Sequence, residues 1–245
     1  TLHELAITLS QDNKLDEAVS NYESALSIYE KLLGAHKTTI EVLSCLGTIL
    51  LSLMRLDASY RYLERALVLK RMLYSDDDES ISDILYLIGK VQGKSGDLDD
   101  ALDSLKEALR IRKQIYSEDS LPVAAVINDV GVLQLRKGQY AIARTCFSEA
   151  IRVWKLKLDN PDYLGESLMN LAEIDYSTGK YDDAVEKLEE ALTVMKSNPG
   201  DRDMSVALAY FKLGLSLKMK KSYVQALDVF DRSLMIRSAE LGDRS

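Results

Sequence analysis

The dipeptide Ala-Leu returns down this 245-residue chain at a nearly fixed interval: Ala25-Leu26, Ala66-Leu67, Ala108-Leu109, Ala150-Ile151, Ala191-Leu192 and, with Ser for Ala, Ser233-Leu234. Successive gaps are 41, 42, 42, 41 and 42 residues. A period of about 20 to 50 residues marks a repeat architecture, in which each piece has too little apolar surface to bury alone and stacks on its neighbours. This constrains the chain more than length does. Length alone would suggest one or two compact domains, whereas an array grows along one axis around a strip-like core.

Aligned on the recurring Ala, every repeat shows the same stripe. Seven residues earlier stands a small residue (Ala18, Ser59, Ala101, Ala143, Ala184, Ala226), and four residues after that a large one (Tyr22, Leu63, Leu105, Phe147, Leu188, Phe230). Small, large and small at offsets of four and three form the buried seam of an amphipathic helix. Twelve residues before the first small residue lies a second set, Ala6, Gly47, Gly89, Gly131, Ala172 and Gly214. Each follows an apolar residue, with another at helical spacing upstream, such as Leu43 and Leu46 or Leu85 and Ile88. A mid-helix Gly costs about 1 kcal/mol against Ala, so its recurrence predicts a helix crossing close enough to admit only a hydrogen or a methyl.

The spacing thus predicts two antiparallel helices per repeat, joined by short polar turns at residues 11–14, 95–97, 137–139 and 177–180, with Gly96, Gly138 and Gly179 as left-handed helix ends. Linkers at 75–80, 117–122, 159–163 and 197–203 carry the Asp, Ser, Asn and Pro of helix starts and stops. The expected fold is all-α, a right-handed solenoid of about six helix pairs at roughly 1–34, 40–75, 82–117, 124–159, 165–198 and 205–242, a single array over 1–245. Residue 1 already lies inside a helix and Leu241-Gly242-Asp243 resembles the start of another linker, so the chain reads as a segment of a longer protein.

These residues resemble tetratricopeptide repeats. In repeat six the matching positions are Tyr210, Leu213-Gly214, Leu217, Ala226, Phe230 and Ser233; in repeat four they are Ile127, Val130-Gly131, Ala143, Phe147 and Ala150. The resemblance covers the whole chain. The usual repeat is 34 residues, and the longer unit here, with an extended second helix and linker as in Ala108 to Tyr116, is similar to kinesin light chain and nephrocystin-type repeats. Asn128 and Asn170 stand in first helices where light-chain repeats favour Asn, but light chains often place two side by side, whereas here the neighbours are Asp129 and Met169.

The resemblance implies a non-catalytic protein-interaction scaffold, possessing an adaptor-like groove lined by first helices, for a peptide or a partner helix. The groove-facing positions are Tyr86, Leu87, Lys90, Gly93 and Lys94 in repeat three and Asn128, Asp129, Val132, Leu135 and Arg136 in repeat four. Repeat five contributes Met169, Asn170, Glu173, Tyr176 and Ser177, and repeat six Phe211, Lys212, Leu215, Lys218 and Met219. The binding set is taken as Tyr86, Lys90, Asn128, Asp129, Arg136, Asn170, Glu173, Phe211 and Lys212. An Asn amide both donates to and accepts from an extended backbone, the aromatics and Met169 offer apolar pockets, and Lys and Arg suit an acidic segment; packing and solvated surface are the alternative readings. The family's carboxylate clamp for chaperone tails maps onto no consecutive repeats. A second reading is a regulatory or sensory domain of a larger enzyme or signalling protein.

Other functions find little support. A net charge of −8 argues against nucleic acid, no apolar run has membrane length and no secretion signal opens the chain, so a soluble cytoplasmic protein is expected. Cys45 and Cys146 lie in different repeats and are not expected to pair. Gly89 to Ser95 resembles a phosphate loop, but has one residue too few between its glycines and sits in a helix. His3 and His36 lack ligand-spaced companions, so no metal or cofactor is expected. Trp154 is expected to pack between repeats, and the run Asp76-Asp77-Asp78-Glu79 to be solvated and to favour the following helix dipole.

Overall fold

In a computed structural model, residues 1–157, 161–196 and 203–242 are described. Among them are twelve helices and no strand. They form six pairs: α1 (Leu2–Gln11) and α2 (Leu15–Leu32), α3 (Lys37–Ser52) and α4 (Leu56–Leu73), α5 (Glu79–Ser95) and α6 (Leu98–Ile115), α7 (Leu121–Arg136) and α8 (Tyr140–Lys157), α9 (Pro161–Ser177) and α10 (Tyr181–Lys196), α11 (Asp203–Met219) and α12 (Tyr223–Gly242). The chain groups into two compact units, residues 1–117 with α1 to α6 and 118–245 with α7 to α12. The all-α fold of helix pairs is as the spacing predicts, and inside each unit every helix packs on the next. First helices start at Lys37, Glu79 and Leu121, about a turn ahead of the repeat starts drawn from sequence, so part of the extra length lies there.

The turn inside each pair is one conformation used six times. Gly96, Gly138 and Gly179 have φ of 102°, 72° and 78°, the left-handed region in which the absence of a Cβ removes the steric penalty. The corresponding places in the other repeats hold Asn13, Met54 and Lys221 at φ 59°, 57° and 63°. The backbone geometry therefore recurs where Gly does not.

The crossing inside each pair is as close as the glycine pattern predicts, and closer at several places. A Cβ added at Gly47 would lie 2.4 Å from Leu63 Cγ, at Gly89 2.8 Å from Leu105 Cγ, at Gly131 2.9 Å from Phe147 Cε1 and at Gly214 2.4 Å from Phe230 Cε1. A methyl does not fit there without movement, so the earlier allowance for one holds only where the chain already has Ala6 and Ala172. The large residue of each stripe is thus the knob that the first-helix Gly receives. The repeated small residues Ala18, Ser59, Ala101, Ala143 and Ala184 are all 0% exposed, as packing without room for a longer side chain requires.

Linkers are tied down by polar contacts. Asp78 caps α5 by accepting from Ser80 N at 2.9 Å, Asp77 meets Arg110 at 2.8 Å, and Tyr116 donates to Glu79. The hydrogen bond from Ser80 holds the Asp78 carboxyl below its ordinary value. The acidic run, in the linker between α4 and α5, is therefore tied to the end of α6 through Asp77 and Glu79 rather than simply solvated. In the second unit Asp119 meets Arg152 at 2.6 Å at the same place in its repeat. Such exposed pairs contribute at most about 1 kcal/mol; their effect is on register. The linkers at 159–163 and 197–203 fall largely outside the described residues, as does Asp243.

Candidate functional site

Two successive first helices of the second unit, α9 and α11, frame a cavity of about 310 Å³. Its walls are Tyr176, Ser177, Leu208, Phe211 and Leu215; Ala172, Leu188 and Ser216 form the floor, and Glu173 and Lys212 pair at the rim. Ala172, small by the demands of its crossing with α10, is one of the residues at the floor. Leu208 and Phe211 are each 40% exposed, so the hollow has an open apolar wall.

Cations surround the aromatic residues behind this wall. The Phe211 ring packs on Phe230, centroids 5.7 Å apart, and lies 5.4 Å from the Arg237 guanidinium carbon. Beside it, Tyr210 is buried, with Lys196 Nζ 4.8 Å and Arg232 Cζ 5.9 Å from its ring. Burial alone would raise the Tyr210 phenol; hydrogen bonds from Lys196 and Arg232 and their positive charge outweigh it and bring the phenol below its ordinary value.

The structure brings Glu173, Phe211 and Lys212 of the sequence-derived set into this one cavity, together with Tyr176, Ser177 and Leu215. Tyr86 and Lys90 belong to the first unit, where the Tyr86 ring has Arg112 Cζ at 4.8 Å and Lys90 Nζ at 5.3 Å. Asn128 departs from the groove expectation. It is 5% exposed, its oxygen accepts from Ser167 Oγ at 2.8 Å and its amide nitrogen donates to Asp129 at 3.4 Å, so it joins α7 to α9. Asn170 is half-buried on α9, and Arg136 is exposed in the last turn of α7. Met169 is buried in the core.

Sequence positions alone missed Leu208 and Leu188 on the cavity wall and floor, and Arg237 behind Phe211. Arg237 was legible in one respect: Lys70 and Arg112 precede it at the same place in their repeats.

Other sequence features take structural places. The Gly89 to Ser95 run is helical, with Gly89 against Leu105. His36 caps α3, accepting from Thr38 N at 3.2 Å, and His3 meets Tyr22 and Tyr29 edge-on at 5.7 and 5.9 Å. Trp154 is buried on α8 and stacks on Tyr163 of α9 at 5.1 Å, packing between two repeats as expected. Cys45 and Cys146 are free thiols. Among the described residues no helix is long and apolar enough to cross a membrane, and no three His, Cys, Asp or Glu side chains gather as a metal site would need.

Comparison with known proteins agrees with this architecture. A family model described as tetratricopeptide repeat matches residues 38–114, 89–156, 122–197 and 163–239, and a second of the same description matches 1–36. Among curated proteins none matches the sequence. Among solved structures, BtubC (BKLC) from P. vanneervenii is similar at a TM-score of 0.78 and 19% identity, over 93% of this chain and 92% of that one. RapI in its apo form gives a TM-score of 0.72 at 12% identity over 97% and 96%. A putative kinesin light chain of Podosopora anserina gives 0.68 at 13% over 84% and 98%. At these identities the likeness is one of fold.

Proposed function

The chain belongs to the tetratricopeptide-repeat family, and from that premise we propose that it is a non-catalytic protein-interaction scaffold holding a peptide or a partner helix against its first helices. The observation that carries this reading is the hollow between α9 and α11, whose apolar walls Leu208, Phe211 and Leu215 are open to solvent while the Lys212–Glu173 pair marks a polar rim. A cavity of about 310 Å³ is at the small end for ligand sites and matches one or two large side chains of a partner segment. The scaffold's helices are set by their own packing, so little ordering on its side opposes association. An adaptor-like role in the cytoplasm, in keeping with the resemblance to light chains, is part of the proposal.

The groove set is narrowed to Tyr176, Leu208, Phe211, Lys212 and Leu215, with Tyr86 and Lys90 as its counterpart in the first unit and Asn128 left to the framework. Phe211→Asp places a charge on the apolar wall at an exposed site. It is expected to abolish capture of peptides selected on the wild-type chain while leaving the Tm within a few degrees. Undiminished capture by the double variant Tyr176→Asp, Phe211→Asp would put the binding face elsewhere.

A further inference from the structure

The turns that join the two helices of each pair share one backbone conformation, yet their charge differs between the two compact units. In the first unit the three turns, residues 10–17, 51–58 and 93–100, carry seven acidic and three basic side chains. In the second, residues 135–142, 176–183 and 218–225 carry six basic and two acidic ones. Within each unit the three turns come from helix pairs packed in succession, so they follow one another along one edge of that unit.

Helix preference does not account for the difference. A helix start favours acids, because they meet the positive end of its dipole. Asp16 and Glu17, Asp57, Asp99 and Asp100, and Asp182 and Asp183 follow this rule in the first turn of their second helices. Repeats four and six break it with Ala141-Ile142 and Val224-Gln225. Ile142 is 50% and Val224 84% exposed, beside the exposed Tyr140 and Tyr223. Among the described residues Lys180, Lys218 and Lys221 are exposed and in no ion pair, while Lys220 meets Asp182 at 2.6 Å. The edge of the second unit is therefore basic, with uncovered apolar side chains between its cations.

The first unit offers the complement. Arg55 pairs with Asp16 at 2.7 Å, which leaves its edge acidic. Between the starts of α4 and α6 lies a cavity of about 310 Å³ lined by Asp57, Asp97 and Asp100 beside Tyr60 and Val91, with Arg61 as its one cation. Carboxylates set beside apolar walls suit an aliphatic stem with a cationic head, as Lys has. Because one turn conformation and one repeat length build both edges, three turns of one copy meet three turns of another at equal spacing. A chain of net charge −8 repels its copies at long range, so attraction between them has to come from such a local separation of charge.

We propose that the turn edge of the second unit docks on the turn edge of the first unit of another copy, and that the chain associates with itself through this contact. The occupant is a second copy because the chain itself carries both halves of the contact. The proposal is independent of the groove reading.

The test measures mass against concentration by sedimentation equilibrium at low and at high NaCl. The expected result is concentration-dependent association at low salt, weakened about tenfold or more at high salt, since exposed charges are screened. Two charge-reversed chains identify the faces: Lys180→Glu with Lys221→Glu on the second unit, and Asp97→Lys with Asp100→Lys on the first. Each alone should be monomeric with unchanged helical circular dichroism. An equimolar mixture should associate again, because in it every edge finds one of opposite charge, a recovery that misfolded variants would not give. A wild-type chain that is monomeric at every concentration overturns the proposal; binding of polyglutamate to that monomer through Lys180 and Lys221 would give the edge to a foreign acidic segment instead. Association that survives both reversals, or that mixing does not restore, places the contact elsewhere and overturns it too.

Discussion

Met54 holds a left-handed backbone at φ 57° although it has a Cβ, at the place where Gly96, Gly138 and Gly179 serve in other repeats. That conformation costs a non-glycine residue roughly 1–2 kcal/mol, and Met54 is largely exposed. Met54→Gly is therefore expected to stabilise the protein by about 1 kcal/mol, read as a higher urea midpoint at unchanged m-value. A second local defect is Thr39, 1% exposed with its hydroxyl unpaired, where the other repeats place Ile81, Val123, Leu164 and Val206. Removing an unsatisfied buried hydroxyl while keeping the shape, as in Thr39→Val, should add about 1 kcal/mol; a fall in Tm would show that Thr39 has an acceptor after all. Tyr210 predicts a pH effect. Its phenol titrates below the ordinary value of 10.0 when folded, so folding favours the phenolate. That contribution is absent below the folded-state value, grows as pH climbs through it and is complete above the unfolded one. Absorbance at a phenolate band should show an early-ionising tyrosine that Tyr210→Phe removes.

The helices themselves were legible because the repeated residues are those whose packing leaves no choice. The Gly47, Gly89, Gly131 and Gly214 series each faces the large residue of the opposite stripe, and both halves of that contact recur with the period. Gly47→Ala places a methyl 2.4 Å from Leu63 Cγ, so overpacking outweighs the gain in helix propensity, for a net loss of about 1–2 kcal/mol. Thermal melts settle the sign. What individual helices did not disclose was which side chains the neighbouring helix would claim. Asn128 reads as an outward amide on α7, yet Ser167 on α9 takes its oxygen. Likewise the acidic run before α5 reads as solvated until Arg110 and Tyr116, more than thirty residues on, are seen to meet it. Relations across helices, rather than within them, separate the framework from the candidate site.

At the scale of the whole chain, charge governs behaviour more than shape does. With a net charge of −8 and a sequence pI near 5.0, the protein loses its mutual repulsion as carboxylates protonate. Its solubility should pass through a minimum near pH 5, seen as turbidity that clears again at neutral pH; clear solutions throughout would mean that hydration of the surface suffices. The site was legible only in outline, since Phe211, Lys212 and Glu173 were placed by periodicity but the hollow they share depends on how α9, α10 and α11 meet. Repeats three and six differ in one respect. Ser82 on α5 donates to the carbonyl of Ala108 on α6, whereas in repeat six Ser233 on α12 donates to the carbonyl of Ala207 on α11. The same bond spans both crossings, with the hydroxyl carried by the opposite helix. Such a transposition is silent to the fold, because volume and hydrogen bonding are conserved, but not to a third party: Arg112 donates to the Ser82 oxygen, and Arg237 at the same place in repeat six lacks that acceptor once the oxygen changes sides. An exchange that keeps the crossing bond thus still leaves a neighbouring side chain short of an acceptor, as the buried and unpaired Arg237 Nε records.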